Sequence, residues 1–501
     1  MKQHKHSNIM TNVISYALLQ VVTLLVGLVL PRFFLKSYGS EVNGIVATIN
    51  SFTTYFSYIE AGLGLALVHS LFRPLAEKDI GKTNQILSFS KAQYCKISAA
   101  YLCFVMLLAG AFPLVSKSQQ LSYGEFFLLV LVIGLYGTFD FYTMAKYRVL
   151  LTADQKEYVI SNAMTLAQLL RFVFSVLLLR FDVSIVLIKT VPIITLFVRS
   201  LILHIYVKKR YPQINFSTIS SADPATMTRR WDALLLQISI NTSTLLPTII
   251  ISQLFGFEEA NIYATYSLVI SALISVVSAL SSGVAPNFGR DLAQGKKLTR
   301  KYSIYEALVF GVIATVFSTA SVMMLPFIKL YTNVVSDVNY IYPSLAVLSS
   351  VWGALYSSRI PSTATINAAG LYKENRINSI INLCIQVVVG VCFALLWKIE
   401  GVLLAMIVAA LQRNIGYEII NDRNVFHGGL FKRILRQPLL LCVVGGSYGI
   451  YQWLFSDVEF NFLRWCITSV FVFMCTSVVC LLLTVFLGCL GDEWSAKEGK
   501  R

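Results

Sequence analysis

Apolar residues in this chain come in runs of about twenty, separated by short polar clusters. At 1.5 Å per residue, a helix of that length crosses the roughly 30 Å hydrocarbon core of a bilayer. Strands of a membrane barrel would be about half as long and would alternate in polarity, a pattern the chain lacks. The runs predict helices near 9–31, 42–71, 92–115, 123–147, 158–179 and 184–206. After the polar stretch from Val207 to Arg230 they predict helices near 232–254, 261–286, 305–328, 340–365, 375–397 and 399–420, with two more near 437–455 and 463–487. The expected fold is an all-α integral membrane protein of about 14 transmembrane helices. Ile9 to Leu30 is longer than a signal-peptide core and meets Pro31 and Arg32 without a small-residue cleavage site, so it reads as the first crossing.

Composition fixes the medium. Hydrophobic residues make up 56% of the chain and charged residues 13%, with a mean hydropathy of +0.68, whereas an average soluble domain is about a quarter charged. The net charge of +16 would suit nucleic acid, but its placement points to membrane orientation instead. With alternating helices, thirty Lys and Arg fall on the side of both termini, among them Arg148, Arg413, Arg433 and Arg436, against seven opposite. Positive charge gathers on the cytoplasmic side, which predicts cytoplasmic termini. The nine cysteines have neither metal-ligand spacing nor a disulfide pattern and read as packing residues.

The chain repeats itself at an offset of 217. Gly39, Glu41, Ala47, Thr48 and Arg73 align with Gly256, Glu258, Ala264, Thr265 and Arg290, and Lys156, Glu157 and Ile160 align with Lys373, Glu374 and Ile377. Six helices return the chain to its starting side, so the repeats have the same topology. The expected organisation is an N-terminal six-helix lobe over 1–210, a cytoplasmic linker over 211–230, a second six-helix lobe over 231–422, and two further helices with a tail over 423–501. The lobes are expected to be related by a pseudo-two-fold axis along the membrane normal, with a binding cleft between them.

Charges inside the apolar runs are the candidate chemistry. A cation at the centre of an inserted helix costs about 2.5 to 3.5 kcal/mol or more. Arg171, Lys189, Arg199 and Arg359 are the basic residues that the surface tally leaves over. Lys189 and Arg199, nearer their helix ends, can snorkel toward the surfaces, whereas Arg171 lies about two turns from its nearer end. If they line a cavity, they suit an anion. Glu60 and Asp140 are carboxylates inside the runs. Each either neutralises a cation such as Arg199 or Lys146, or serves as a coupling site that alternately holds H+ or Na+. Asn241, Thr242, Ser243 and Thr244 offer hydrogen bonds to a sugar or to neighbouring helices.

The stretches Leu30, Pro31, Arg32, with Tyr38 to Gly44, and Tyr55 to Ala66 resemble the opening helices of bacterial Wzx-type polysaccharide flippases. The loop from Leu150 to Tyr158 is similar to that family's junction between helices four and five. Such proteins belong with multidrug and toxic compound extruders and the lipid II flippase. The resemblance implies translocation of an undecaprenyl-pyrophosphate-linked oligosaccharide from the inner to the outer leaflet of the bacterial cytoplasmic membrane. The partners it implies are that lipid-linked oligosaccharide, the bilayer and other proteins of polysaccharide assembly, with no nucleic acid and no cofactor beyond H+ or Na+. On this reading Arg171, Lys189, Arg199 and Arg359 form a ladder for the pyrophosphate. The resemblance also offers helices thirteen and fourteen as a groove for the prenyl tail, against the plainer reading of packing. A drug extruder for cationic substrates would need fewer internal cations. A polymerase or ligase normally carries a large outer loop, and every outer loop predicted here is short. The five histidines form no metal pair, and no Walker A, sugar-nucleotide or nucleophile-elbow motif occurs, so no catalytic or metal site is expected.

Overall fold

The computed structural model describes residues 2–58, 61–116, 118–215, 230–281, 299–455 and 460–498, with a few positions between 282 and 298. Two compact units divide the chain, Met1–Ile238 and Ser239–Arg501. Both are helical. In the first unit the elements are α1 (Lys2–Ser57), α2 (Ala61–Glu77), α3 (Ile80–Val115), α4 (Tyr123–Thr143), α5 (Ala145–Ala153), α6 (Glu157–Leu179), α7 (Ile185–Ile188) and α8 (Val191–Arg210). Next, α9 (Arg230–Leu254) runs across the division. The second unit continues with α10 (Phe257–Ser281), α11 (Thr299–Thr332), α12 (Pro343–Ser358), α13 (Ile360–Ala369), α14 (Arg376–Cys384), α15 (Gly390–Asn421), α16 (Leu430–Phe455) and α17 (Phe462–Glu498).

Ten stretches of the described residues are long and apolar enough to cross a membrane. Two of them, Met10–Ser57 with 48 residues and Arg376–Phe426 with 51, are twice the length one crossing needs, and each is bent. In α1 the bend is Gly39, whose backbone (φ 74°, ψ −178°) is one that a side chain would strain. Its repeat partner Gly256 has φ 105° and separates α9 from α10. The aligned glycines therefore do the same work in both repeats: each ends one crossing and starts the next. In α15 the bend falls at Trp397 and Lys398. Lys398 (φ 50°) and, in the α6–α7 turn, Asp182 (φ 48°) are both left-handed non-glycine residues.

The predicted helix 42–71 is divided between α1 and α2 and 123–147 between α4 and α5, and three further boundaries differ from the sequence reading. The third helix starts at Ile80, about three turns before 92, because Asp79 caps it by accepting from the Lys82 N–H at 2.9 Å. That amide holds the Asp79 carboxyl below the usual carboxylate range. The predicted helix 184–206 is two helices, since α7 ends at Ile188 and α8 begins at Val191. Pro192, at the start of α8, cannot donate to the carbonyl of Ile188, and its ring crowds that carbonyl, so the ladder breaks there. The region 340–365 likewise divides at Arg359, just ahead of Pro361 in α13.

The loop from Leu150 to Tyr158 is a built junction. Asn12 donates to the Gln155 carbonyl at 2.9 Å and accepts from the Tyr158 N–H at 2.8 Å. Lys156 pairs with Asp154 at 2.7 Å and donates to the Tyr211 hydroxyl at 2.8 Å, while Tyr211 donates to Asp154. Burial and that carboxylate together push the Tyr211 phenol well above its ordinary range. At the other end of the chain, α17 docks on α11 through Trp465, whose indole donates to the Met323 carbonyl at 3.1 Å, and through a 2.9 Å contact between the hydroxyls of Thr319 and Thr476. Its outer face, including Leu463, Ile467, Phe471 and Val478, is exposed, as suits a lipid-facing helix.

Candidate functional site

In the first unit, α6 carries Arg171 about two turns before its end, and Lys189 sits at the break between α7 and α8. The break matters because it sets a lysine inward: Lys189 is 8% exposed, and its Nζ lies 4.1 Å from the centre of the Phe34 ring. Phe34 belongs to an apolar cluster with Val26, Leu30 and Ile188, against which Phe172 and Val176 pack. The half-buried Arg171 lies close enough to repel Lys189. Among the described residues no carboxylate lies within 4 Å of either. An aromatic face contributes about 0.5 to 2 kcal/mol to a cation, less than the several kcal/mol that desolvating an ion costs. The pair is therefore a cationic spot whose charge no carboxylate among the described residues balances.

Arg199 is placed differently. It is 4% exposed and donates to Asp140, which also accepts from Arg148 at 2.8 Å. Asp140 thus has the contacts that the neutralising reading expects, with Arg199 and Arg148 rather than Lys146 as partners. Glu60 lies outside the described residues. A further buried carboxylate, Glu41, escaped the sequence reading. It is 7% exposed and accepts from the Ser118 hydroxyl at 2.7 Å and the Gln119 N–H at 2.6 Å, so it tethers the loop after α3 beside the Gly39 bend.

In the second unit Arg359 is half-buried, with its Cζ 4.2 Å from the centre of the Tyr356 ring. It is joined there by Arg413, whose Cζ lies 5.2 Å from the same ring. The surface tally had counted Arg413 among the cytoplasmic charges, yet it is only 1% exposed. The tally treats any cation in the last turns of a run as facing water. The residues four and five places on, Tyr417 and Glu418, are buried too, and that polar face along the helix was the available signal. Beside it a row of carboxamides binds α14 to α15: Asn382 donates to the Ala409 carbonyl at 2.6 Å, and Gln412 donates to Asn378 at 2.7 Å. Gly416 is required there, because a Cβ would come within 2.0 Å of the Asn378 side chain.

Arg433, which is buried, and Arg436, which is half-buried, were both expected at the surface and are both paired. Arg433 lies 2.9 Å from Glu418 and also bonds Asp422, and Arg436 bonds Glu306. Glu418 accepts further from Ser362 and Tyr302. Among the described residues no group of three His, Cys, Asp or Glu is placed to hold a metal ion.

No family model and no curated protein matches the chain. Solved structures do. The chain is similar to the lipid II flippase MurJ in an inward closed conformation, at a TM-score of 0.70 over 94% of this chain and 98% of that one, with 14% identity. It is also similar to an inward-facing multidrug resistance transporter of the MATE family in the MOP superfamily (TM-score 0.64, 13% identity, 80% and 94% covered). A mutant of the Vibrio cholerae MATE transporter VcmN follows at 0.58, with 16% identity over 84% and 99%. At such identities the likeness speaks for the fold: this is a multi-pass, all-α membrane protein built as those transporters are.

Proposed function

We propose that the protein is a transporter that moves an undecaprenyl-pyrophosphate-linked oligosaccharide from the cytoplasmic to the outer leaflet by alternating access. The observation that carries this reading is the pair Arg171 and Lys189, two cations within membrane-spanning helices without a carboxylate partner among the described residues. A pyrophosphate and its glycan cannot cross hydrocarbon unaided, and a cationic spot offers the first of these a counter-charge. Arginine binds phosphate oxygens as a fork, and lysine binds them as a point charge. Arg359 has the same role in the second unit. Arg199 contributes little attraction, since Asp140 balances it.

The reading includes two six-helix lobes, 1–210 and 231–422, related by an axis along the membrane normal, and cytoplasmic termini in a bacterial inner membrane. Coupling to H+ or Na+ falls to Glu60 or Asp140. The likeness to MurJ supports lipid II, another lipid-linked pyrophosphate, as the runner-up cargo. The likeness to MATE transporters supports drug extrusion, but the unbalanced charge here is positive and disfavours cationic drugs.

Flipping of lipid-linked oligosaccharide in proteoliposomes, with folded protein quantified, tests the proposal. Arg171→Ala is expected to abolish flipping at normal folded yield, and Arg171→Lys to restore part of it, since the fork is lost while the charge stays. Full activity in well-folded Arg171→Ala, or a loss that only tracks lost protein, overturns it.

A further inference from the structure

We infer that Arg359, Arg413 and Tyr356 form a phosphate-binding site of their own in the second unit, with Arg413 as its buried base and Arg359 as its half-exposed arm. Both guanidiniums lie against one tyrosine ring, at 4.2 Å and 5.2 Å, so their carbons are no farther apart than those two distances laid end to end. Arg359 repels Arg413, and like charges so close need a counter-charge. Among the described residues the Arg413 guanidinium makes a single hydrogen bond, from Nη1 to the Ser243 hydroxyl at 3.1 Å. Its Nε and Nη2 and the Nε of Arg359 are buried without a hydrogen-bond partner among the described residues. Tyr417 stands one helical turn beyond Arg413 and interacts with both arginines. The three guanidinium nitrogens can only donate, and buried donors without acceptors are costly.

The unit's paired cations show what is missing. Arg433 has Glu418 and Asp422, and Arg436 has Glu306. Among the described residues neither Arg359 nor Arg413 has a carboxylate within 4 Å. On this inference the missing acceptor is a ligand from outside the chain. Two guanidinium forks present more donors than a single carboxylate accepts and match the several oxygens of a phosphate or pyrophosphate. The identity of that anion rests on the proposed function; the existence of the site does not.

The test uses the full chain in neutral detergent micelles, with inorganic pyrophosphate and, separately, undecaprenyl pyrophosphate as probes. Calorimetric titration and the thermal midpoint read binding, because a ligand of the folded state raises that midpoint. Pyrophosphate is expected to bind the wild type. Arg359→Gln, at a half-exposed position, and Arg413→Lys, which keeps the charge, are each expected to weaken it at least tenfold. Equal affinity for the two probes assigns the site to free or headgroup phosphate, and much tighter binding of the prenyl form assigns it to the lipid. No binding of either probe by wild type, or unchanged affinity in both variants, overturns the inference. If pyrophosphate affinity falls in Arg359→Gln while wild type flips no oligosaccharide, the proposed function fails and the site stands. If folded Arg359→Gln flips normally with unchanged affinity, the site fails and the function stands.

Discussion

The two units handle buried positive charge in the same two ways, with different means. In the first, Arg199 is balanced by Asp140, which also takes Arg148, while among the described residues Arg171 and Lys189 have no carboxylate partner and Lys189 lies against Phe34. In the second, Arg433 and Arg436 are balanced by Glu418, Asp422 and Glu306, while among the described residues Arg359 and Arg413, beside Tyr356, have no carboxylate partner. What separates the two kinds is the partner and not the depth. Arg199 and Arg413 are both almost wholly buried, at 4% and 1% exposed, yet one is neutral in its surroundings and the other is not. A balanced cation serves the architecture; on the proposed function, an unbalanced one meets the ligand. The first unit reaches its unbalanced lysine by breaking a helix at Pro192, the second by packing two arginines on one ring.

The comparison breaks most sharply on the carboxylates. Asp140→Asn keeps the side chain's shape and removes its charge, leaving Arg199 buried without a counter-ion, which costs about 3 to 5 kcal/mol. Glu418→Gln takes from Arg433 one of its two carboxylate partners and leaves Asp422. Asp140→Asn is expected to lower the thermal midpoint of the purified protein and its membrane abundance strongly, and Glu418→Gln to lower them less. Arg199→Met added to Asp140→Asn is expected to recover most of the loss. An Asp140→Asn protein of wild-type stability whose transport loses its dependence on pH or Na+ would instead assign Asp140 to coupling.

Next in size is the converse on the unbalanced side. Removing Lys189 takes away a buried charge that lacks a carboxylate partner among the described residues, so Lys189→Met is expected to leave the thermal midpoint unchanged or raise it. Flipping is expected to fall at least tenfold. A marked drop in the midpoint would show that Lys189 is balanced after all and belongs with Arg199.

Much of the fold was legible because its signals are local. Runs of about twenty apolar residues announce crossings, and a glycine recurring at an offset of 217 announces a bend that needs a left-handed backbone in both repeats. The candidate site was legible only in part. Arg171, Lys189, Arg199 and Arg359 stand out because each interrupts an apolar run, but the sequence alone does not place Asp140, in α4, beside Arg199, in α8. Arg413 was lost to the surface tally because a cation two turns from a helix end can point either way. Arg433 and Arg436 follow a polar turn, where a solvated charge is the default, and only the carboxylates of α11 and α15 show that they face inward. Pro192 does carry the signal for the break at Lys189, but a run of apolar residues on both sides conceals it.

The smallest predicted effect lies at the junctions that the repeat pairs, and it sharpens the contrast outside the apolar core. Lys156 and Lys373 occupy aligned positions, each ahead of a glutamate and of the helix that follows. Lys156 is mostly buried, pairs with Asp154 at 2.7 Å and donates to Tyr211, so its charge has a place in the structure. Lys373 is exposed, and its turn follows the left-handed Gly370 at φ 69°, with Asn375 and Asn378 bonding one another at 3.1 Å just beyond. Lys156→Met is therefore expected to cost about 1 to 2 kcal/mol, the worth of a charge-assisted bond in a partly buried setting, read as a lower thermal midpoint. Lys373→Met should fall within about 0.5 kcal/mol of wild type, as surface substitutions do. Tyr211→Phe should lose part of what Lys156→Met loses. The phenol's range is raised in the folded state, so its contribution is complete below the ordinary tyrosine value, about 10, and declines as pH rises beyond it. A midpoint difference between wild type and Tyr211→Phe that is steady through neutral pH and narrows only in strong alkali confirms this bond. Equal costs for Lys156→Met and Lys373→Met would show that the repeat keeps the letter at this junction for a reason other than the pairing with Asp154.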